Sequence, residues 1–74
     1  MDRYSFTVQV GGVDWTRDGY EDPFFEAGCD DALLAVVDDA LFLDFDREAP
    51  SFEDAVQSAV RDIERAGAKV VQRP

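Results

Sequence analysis

One amphipathic helix constrains this fold more strongly than any other feature of the sequence. Pro50 favours an extended Ala49, and Ser51 followed by Asp54 three positions later is an N-terminal capping pattern. Gly67 ends the helical pattern. The apolar residues with helical spacing are Phe52, Val56, Ala59, Val60, Ile63 and Ala66. Such a stripe has to be buried against another element, which the rest of the chain must supply.

Strands are predicted on both sides of this helix. The segment YSFTVQV, residues 4 to 10, alternates strictly between apolar and polar side chains and therefore predicts a half-buried strand. Gly11 and Gly12 end this strand, and a hairpin through the two glycines into VDWT is an alternative. The segment AKVVQ, residues 68 to 72, predicts the last strand.

A second, shorter helix is predicted in EDPFFEAG. Asp22 is placed to cap it, Pro23 suits its first turn, and Gly28 can adopt the left-handed conformation after its end. The aromatic residues in and before this segment are Trp15, Tyr20, Phe24 and Phe25. We expect this cluster to close one end of the core, with a ligand pocket as the alternative.

The middle segment CDDALLAVVDDALFLDFD fits two patterns. Residues 33 to 41 have helical spacing, whereas Leu41, Leu43 and Phe45 alternate as in a strand. The near repeat of DDALLAVV and DDALFLDF favours two paired strands with Asp38 and Asp39 as the turn.

The predicted order is strand, short helix, strand, strand, long helix, strand. This order is typical of a ferredoxin-like α+β domain with a split βαββαβ arrangement, in which both helices cover one face of an antiparallel sheet. We expect one domain over residues 1 to 74. A core of this size supplies about 3–5 kcal/mol of net stability, so self-association as a homodimer is also an expectation.

Acidic residues are concentrated in the middle of the chain. The net charge is −10, and residues 14 to 54 carry fourteen acidic residues against Arg17 and Arg47. Residues 55 to 74 carry two acidic and four basic residues. An acidic surface repels nucleic acid and attracts basic proteins, but it also simply keeps a small protein in solution. Both interpretations stay open.

The candidate chemical pair is Asp44 and Asp46 in LDFDREA. The two-residue period of a strand would place both on the open face of the sheet. Phosphotransferases with an Asp-x-Asp strand end need a following Gly-Thr, and here Arg-Glu-Ala follows. The chain has no histidine and a single cysteine, which excludes the usual zinc and iron ligand sets. We expect no catalytic residue, no metal and no cofactor.

The single cysteine, Cys29, excludes an intrachain disulfide and favours a reducing compartment. The N-terminal residues lack the pattern of a signal peptide, and no apolar run approaches the ~18 residues of a membrane span. We therefore expect a cytoplasmic protein. Cys29 lacks a histidine to activate it and is expected to be a small buried hydrophobic residue.

Four segments of the last fifty residues resemble a group of small, largely uncharacterised bacterial proteins. They are EAGCDDA, LDFDREA, the helix pattern S-x-x-x-A-x-x-S-A-x-x-D and the ending AG-x-x-V. In such relatives this domain stands alone or precedes a helix-turn-helix DNA-binding domain. The resemblance implies a regulatory or interaction role, with no catalysis, and it supports the hairpin, because relatives carry a glycine turn at Asp38 and Asp39. As this chain ends at Pro74, we expect no DNA-reading segment in it.

A weaker resemblance to HicB-type antitoxins lies in the aromatic stretch before Gly28 and in the helix SFEDAVQSAVRDIE. It implies an acidic protein that covers a basic toxin. We therefore expect a non-enzymatic interaction module that binds a basic protein, such as a toxin or a DNA-binding regulator, without contacting nucleic acid or membrane. A small-molecule sensing domain of a transcriptional regulator is the alternative.

The residues expected at the partner surface share either a position at a strand or turn end or a place on the open sheet face. The aspartates at strand or turn ends, residues 30, 31, 38 and 39, are expected to extend their side chains into solvent. The residues are Asp30, Asp31, Asp38, Asp39, Phe42, Asp44 and Asp46.

Overall fold

The computed structural model describes all 74 residues as one sheet covered by two helices. The elements are β1 (Asp2–Gly11), α1 (Asp22–Glu26), β2 (Ala32–Val37), β3 (Ala40–Ala49), α2 (Phe52–Arg65) and β4 (Lys69–Gln72). The strand order is β2-β3-β1-β4, every neighbouring pair is antiparallel, and both helices pack on one face. The predicted α+β, ferredoxin-like split βαββαβ arrangement is confirmed.

The core lies between the two central strands and α2. β1 and β3 pair from Asp2 opposite Ala49 to Val10 opposite Leu41, which places their alternate apolar residues on the helix side. Val8 and Leu43 face each other in this register and are fully buried. Burial of such a face against an amphipathic helix is the dominant favourable contribution to folding. The opposite face of the sheet carries no helix.

The middle segment forms the predicted hairpin, and the helical alternative over residues 33 to 41 is wrong. β2 pairs with β3 from Ala32 opposite Phe45 to Val37 opposite Ala40. Asp38 and Asp39 form the two-residue turn, with φ angles of 51° and 61°. Positive φ at both positions is the type I′ geometry, whose twist matches that of paired strands.

Replacing Asp39 with glycine is expected to raise the free energy of unfolding by about 1 kcal/mol, because glycine adopts positive φ without a side-chain clash. The change should raise the melting temperature by about 4–8 °C in a domain of this size. Asp39→Ala is the matched control, since alanine also removes the charge but keeps a Cβ atom. Thermal unfolding should rank glycine above aspartate and alanine last; a glycine variant that melts below the native chain would contradict the turn geometry.

Two local expectations are corrected. The segment VDWT forms no strand, and α1 begins at Asp22 itself, with Glu21 as an N-cap residue that makes no side-chain capping bond. The Asp22 amide already donates to the carbonyl of Gly19 at 3.1 Å, within a turn that leads into the helix. Gly28 adopts the expected positive φ after α1.

The cap and apolar stripe of α2 agree with the sequence except at the first residue. The Ser51 hydroxyl accepts a hydrogen bond from the Asp54 amide at 3.1 Å. Phe52 is exposed on one side because it lies in the first turn, and its ring forms T-shaped pairs with those of Tyr4 and Phe6 instead of entering the core. Ala55 is buried in the stripe in its place. Neither α1 nor α2 combines the length and apolar character that a membrane crossing requires.

Candidate interaction surface and the Arg47 cluster

Asp44 and Asp46 lie on the open face of the sheet, on the solvent side of β3. The Thr7 hydroxyl donates to Asp44 at 3.1 Å, and the Ser5 hydroxyl donates to Asp46 at 3.5 Å, each from the position directly opposite on β1. Arg3 adds an exposed ion pair to Asp46 at 3.5 Å. The spacing of the two aspartates is therefore that of the strand, and their neighbours are cross-strand partners.

The surroundings of this pair offer no cleft. Neither carboxylate lines any of the four surface depressions of the molecule. No group of three or more acidic or cysteine side chains is placed to hold a metal ion. The arrangement can accept hydrogen bonds and attract cations at the surface.

The open face also carries apolar side chains. Phe42 lies there half-buried, next to Ala35 across the strand pair, and Leu33 and Val71 are 76% and 58% exposed. Val37 is also exposed. The sequence predicted Phe42 on this face but not the β2 residues, because the orientation of β2 depends on the register that the Asp38–Asp39 turn sets. This register places residues 33, 35 and 37 on the open side.

β2 is an edge strand with β3 as its single neighbour in the sheet. Its sequence, ALLAVV, contains no charge and no proline, and four of its six residues are exposed. Natural edge strands are usually protected by charges, prolines or bulges because their outer backbone groups can pair with another chain. β2 has none of these within its span.

Acidic residues lie at both ends of β2. Asp38 and Asp39 are exposed in the turn that follows the strand, and Asp30 is exposed before it. These three residues match the expectation that their side chains reach solvent. Asp31 differs from it, because its carboxylate is held inside the molecule by Arg47.

Arg47 lies on the helix side of β3, beside the core, and its side chain is only 10% exposed. Its guanidinium binds Asp31 through two hydrogen bonds of 2.8 Å and forms an ion pair of 3.2 Å with Asp62 of α2. It also donates to the Ser58 hydroxyl at 2.9 Å and to the Gly28 carbonyl at 3.2 Å. We call these five residues the Arg47 cluster.

All five N–H donors of the Arg47 guanidinium are used within the cluster, since the five bonds involve Nε once and each terminal nitrogen twice. Burial alone would lower the pKa of Arg47, but the hydrogen bonds and charge of Asp31, followed by those of Asp62, hold it above its ordinary value. The guanidinium carbon also lies 4.8 Å from the ring centre of Phe45. The cluster joins α2 to β3 and to the segment before β2, and leaves no donor for an external anion.

Sequence reasoning missed this cluster. Three of the segments that carry the resemblance contribute to it: EAGCDDA through Gly28 and Asp31, LDFDREA through Arg47, and the helix pattern through Ser58 and Asp62. One signal was present, because Arg47 continues the alternation that places Leu43 and Phe45 on the helix side. A charged residue on the buried side of a strand needs partners inside the protein that bind its charge.

Cys29 is fully buried beside the Arg47 cluster. Burial, and secondly the charge of Asp62, raise the pKa of the Cys29 thiol from an ordinary 9.0 to about 11, so the thiol is neutral near pH 7. A raised thiol pKa means that Cys29 stays protonated up to a higher pH in the folded chain than in the unfolded chain. The stability that this contributes is complete below pH 9 and is lost as pH rises towards 11.

We expect the advantage of the native chain over Cys29→Ala in unfolding free energy to shrink by about 2 kcal/mol between pH 8 and pH 10.5. Tyrosine and lysine ionise in the same range, but they are common to both chains and cancel in the comparison. Urea unfolding of the two chains at both pH values measures this difference. A difference that stays constant with pH would show that the thiol ionises equally well in the folded state.

The four aromatic residues of the predicted cluster form no aromatic pair with one another. Phe24 is buried, Phe25 is exposed, and Trp15 and Tyr20 pack partly buried against the core. A depression of about 310 Å³ includes Tyr20 and Phe24 in its lining, together with exposed loop residues, and it is open to solvent. Trp15 is not part of its lining.

Comparison with family models, with curated proteins and with solved structures finds no match to this chain.

Proposed function

We propose that this protein is a non-enzymatic interaction module that binds a basic protein through the acidic ends of β2 and the adjoining open face of the sheet. The observation that carries the proposal is the combination, on one side of the molecule, of an uncharged exposed strand with free carboxylates at both of its ends. A toxin or a DNA-binding regulator with a basic surface is a partner of the right charge, which would make the role antitoxin-like or regulatory.

The aspartates at the ends of β2 are not neutralised within the chain, which supports this proposal. Arg47 contacts Asp31, the residue before β2, and all of its donors are used within the Arg47 cluster, so it does not neutralise the aspartates at the strand ends. Asp30, Asp38 and Asp39 form no ion pair within the chain. Free carboxylates around an apolar patch resemble the polar rim and apolar centre of protein interfaces.

Phosphate-rich partners fit this side of the molecule poorly. Asp44 and Asp46 extend the acidic surface across β3, and their single cationic neighbour, Arg3, also pairs with Glu48. Such a surface repels a nucleic acid backbone, whose phosphates require cationic contacts. A protein partner with lysine or arginine at its rim is attracted instead.

Replacing both Asp38 and Asp39 with lysine is expected to lower the association rate constant with the basic partner by about tenfold or more at low salt. The native rate should fall steeply with added salt, because the screening length drops from ~30 Å at 0.01 M to ~8 Å at 0.15 M. The basic products of neighbouring genes, purified singly, are the partners to try. Stopped-flow mixing at four salt concentrations gives the rates.

The matched control makes the same change of charge outside β2 and its ends, with Asp18→Lys in the loop before α1 and Glu64→Lys on α2, since both side chains are exposed. This variant should slow association far less than the turn variant does. Equal slowing in the two variants would show that the net charge, and not the position of Asp38 and Asp39, determines the association rate. An association rate that does not change with salt would contradict the proposal.

A further inference from the structure

We infer that the partner supplies an extended segment that adds to the sheet as a fifth strand along β2, with apolar side chains in its centre and lysine or arginine at both ends. This inference rests on the proposed function and names the form of the partner. It depends on three observations: the direction of the free backbone groups of β2, the apolar side chains on both sides of the strand, and the aspartates at its ends.

The backbone of β2 has free hydrogen-bonding groups along its outer edge. The Asp46 amide donates to the Asp31 carbonyl at 3.1 Å, which identifies residues 31 and 46 as a hydrogen-bonded pair of the antiparallel ladder. Such pairs alternate along a ladder, so residues 33, 35 and 37 also bond inwards to β3. The amide and carbonyl groups of Leu34 and Val36 therefore point away from the sheet.

At the N-terminal end of β2, one outward backbone group is already hydrogen-bonded within the chain. The Ala32 amide donates to the Cys29 carbonyl at 3.1 Å, so only its carbonyl remains for a partner. Five outward groups are then available, namely the Ala32 carbonyl and the amide and carbonyl groups of Leu34 and Val36. An added strand gains its affinity from such main-chain bonds and its selectivity from the side chains beside them.

The side chains of β2 favour an apolar centre in the added strand. Leu33 and Val37 are exposed on the open face, and Val36 is 39% exposed on the helix side. A strand laid along β2 lies about 4.8 Å away and would cover apolar side chains on both faces. The added strand therefore needs apolar residues at successive positions, as β2 itself has.

The charges at the strand ends select a basic segment over a second copy of this chain. In an antiparallel pair of β2 strands, the turn aspartates of one copy would face Asp30 of the other, and a parallel pair would align each group with itself. Both arrangements bring carboxylates together, which is unfavourable. A segment with cations at both ends presents opposite charges to Asp30, Asp38 and Asp39 in either direction.

The test uses a ten-residue peptide with two lysines, six alternating valine and leucine residues, and two lysines. Three matched peptides have glutamates at the ends, a proline in the centre, or a flexible glycine-serine centre between the lysines. Amide hydrogen exchange of the native chain is measured with each. We expect the first peptide to slow exchange at Leu34 and Val36 at least tenfold, and the glutamate and proline peptides to leave both amides unchanged.

Val36→Pro removes an outward amide without breaking the ladder to β3, and edge strands tolerate proline at such positions. This variant should bind the first peptide at least tenfold more weakly, whereas Val36→Thr, which keeps the amide, should bind it about as the native chain does. Circular dichroism of both variants establishes that the fold is retained. Equal binding by the two variants would overturn the inference.

The outcomes separate this inference from the proposed function. Equal binding of the lysine peptides with strand-forming and flexible centres, without protection at Leu34 and Val36, would overturn strand addition and leave the proposed function standing. Binding of neither lysine peptide would count against both. Protection of the two amides that rises with protein concentration alone would assign the edge to a second copy and overturn the inference.

Discussion

Replacing Arg47 with methionine is expected to lower the free energy of unfolding by about 3 kcal/mol, because it leaves two carboxylates facing each other without their cation. The figure is at the lower end for a buried ion pair, since the side chains of Asp31 and Asp62 are 31% and 19% exposed. A domain of this length has only about 3–5 kcal/mol of stability to lose. Urea unfolding followed by circular dichroism should find this variant with at most about 2 kcal/mol of stability left near room temperature.

Arg3→Met is the matched control, because it also removes an arginine from an ion-pair network on the sheet. Arg3 is exposed and pairs with Asp46 at 3.5 Å and with Glu48 at 3.3 Å. Exposed pairs contribute about 0–1 kcal/mol, so the control should unfold nearly as the native chain does. Equal losses for the two variants would mean that the Arg47 cluster behaves as an ordinary surface network.

Gly28→Ala is the second change with a large expected effect, a loss of about 2–4 kcal/mol in the free energy of unfolding. A Cβ atom at Gly28 would lie 2.9 Å from the Asp62 Oδ2 atom, and the φ angle of 112° is unfavourable for any side chain. The methyl group would therefore displace Asp62 from Arg47 as well as strain the backbone. Urea unfolding measures the combined cost.

Gly67→Ala separates strain from displacement. Gly67 has a φ angle of 91°, and a Cβ atom there meets nothing within 4 Å. This variant should cost about 1–2 kcal/mol through backbone strain alone. A loss at Gly28 no larger than the loss at Gly67 would show that the Asp62 carboxylate moves aside freely, and the cluster would then contribute little to the fold.

The parts of this fold that sequence could predict are those with a local pattern. The alternation before Gly11 predicted β1, and the Ser51 cap with its apolar stripe predicted α2. The hairpin followed from the near repeat on either side of Asp38 and Asp39, although neither residue is a strong type I′ residue. In each case the residues that decide the structure lie close together in the chain.

The candidate site depended on contacts between distant segments, and sequence predicted only part of it. Asp31 was expected in solvent because it lies at the end of a strand, but Arg47, sixteen residues away, binds its carboxylate. The exposed face of β2 could not be assigned before the hairpin register was known. Asp30, Asp38 and Asp39 were placed correctly in solvent because residues at the end of an edge strand or in its turn have few neighbours.

The most direct test of the interaction surface is a titration of the isotopically labelled chain with its basic partner, followed by backbone amide chemical shifts at 0.15 M salt. We expect the largest shifts at Asp30, along β2, and at Asp38 and Asp39, with smaller ones at Phe42. Shifts centred on Tyr20 and Phe24 in the open depression would indicate a different site. That result would contradict the proposal that the acidic ends of β2 are the binding surface.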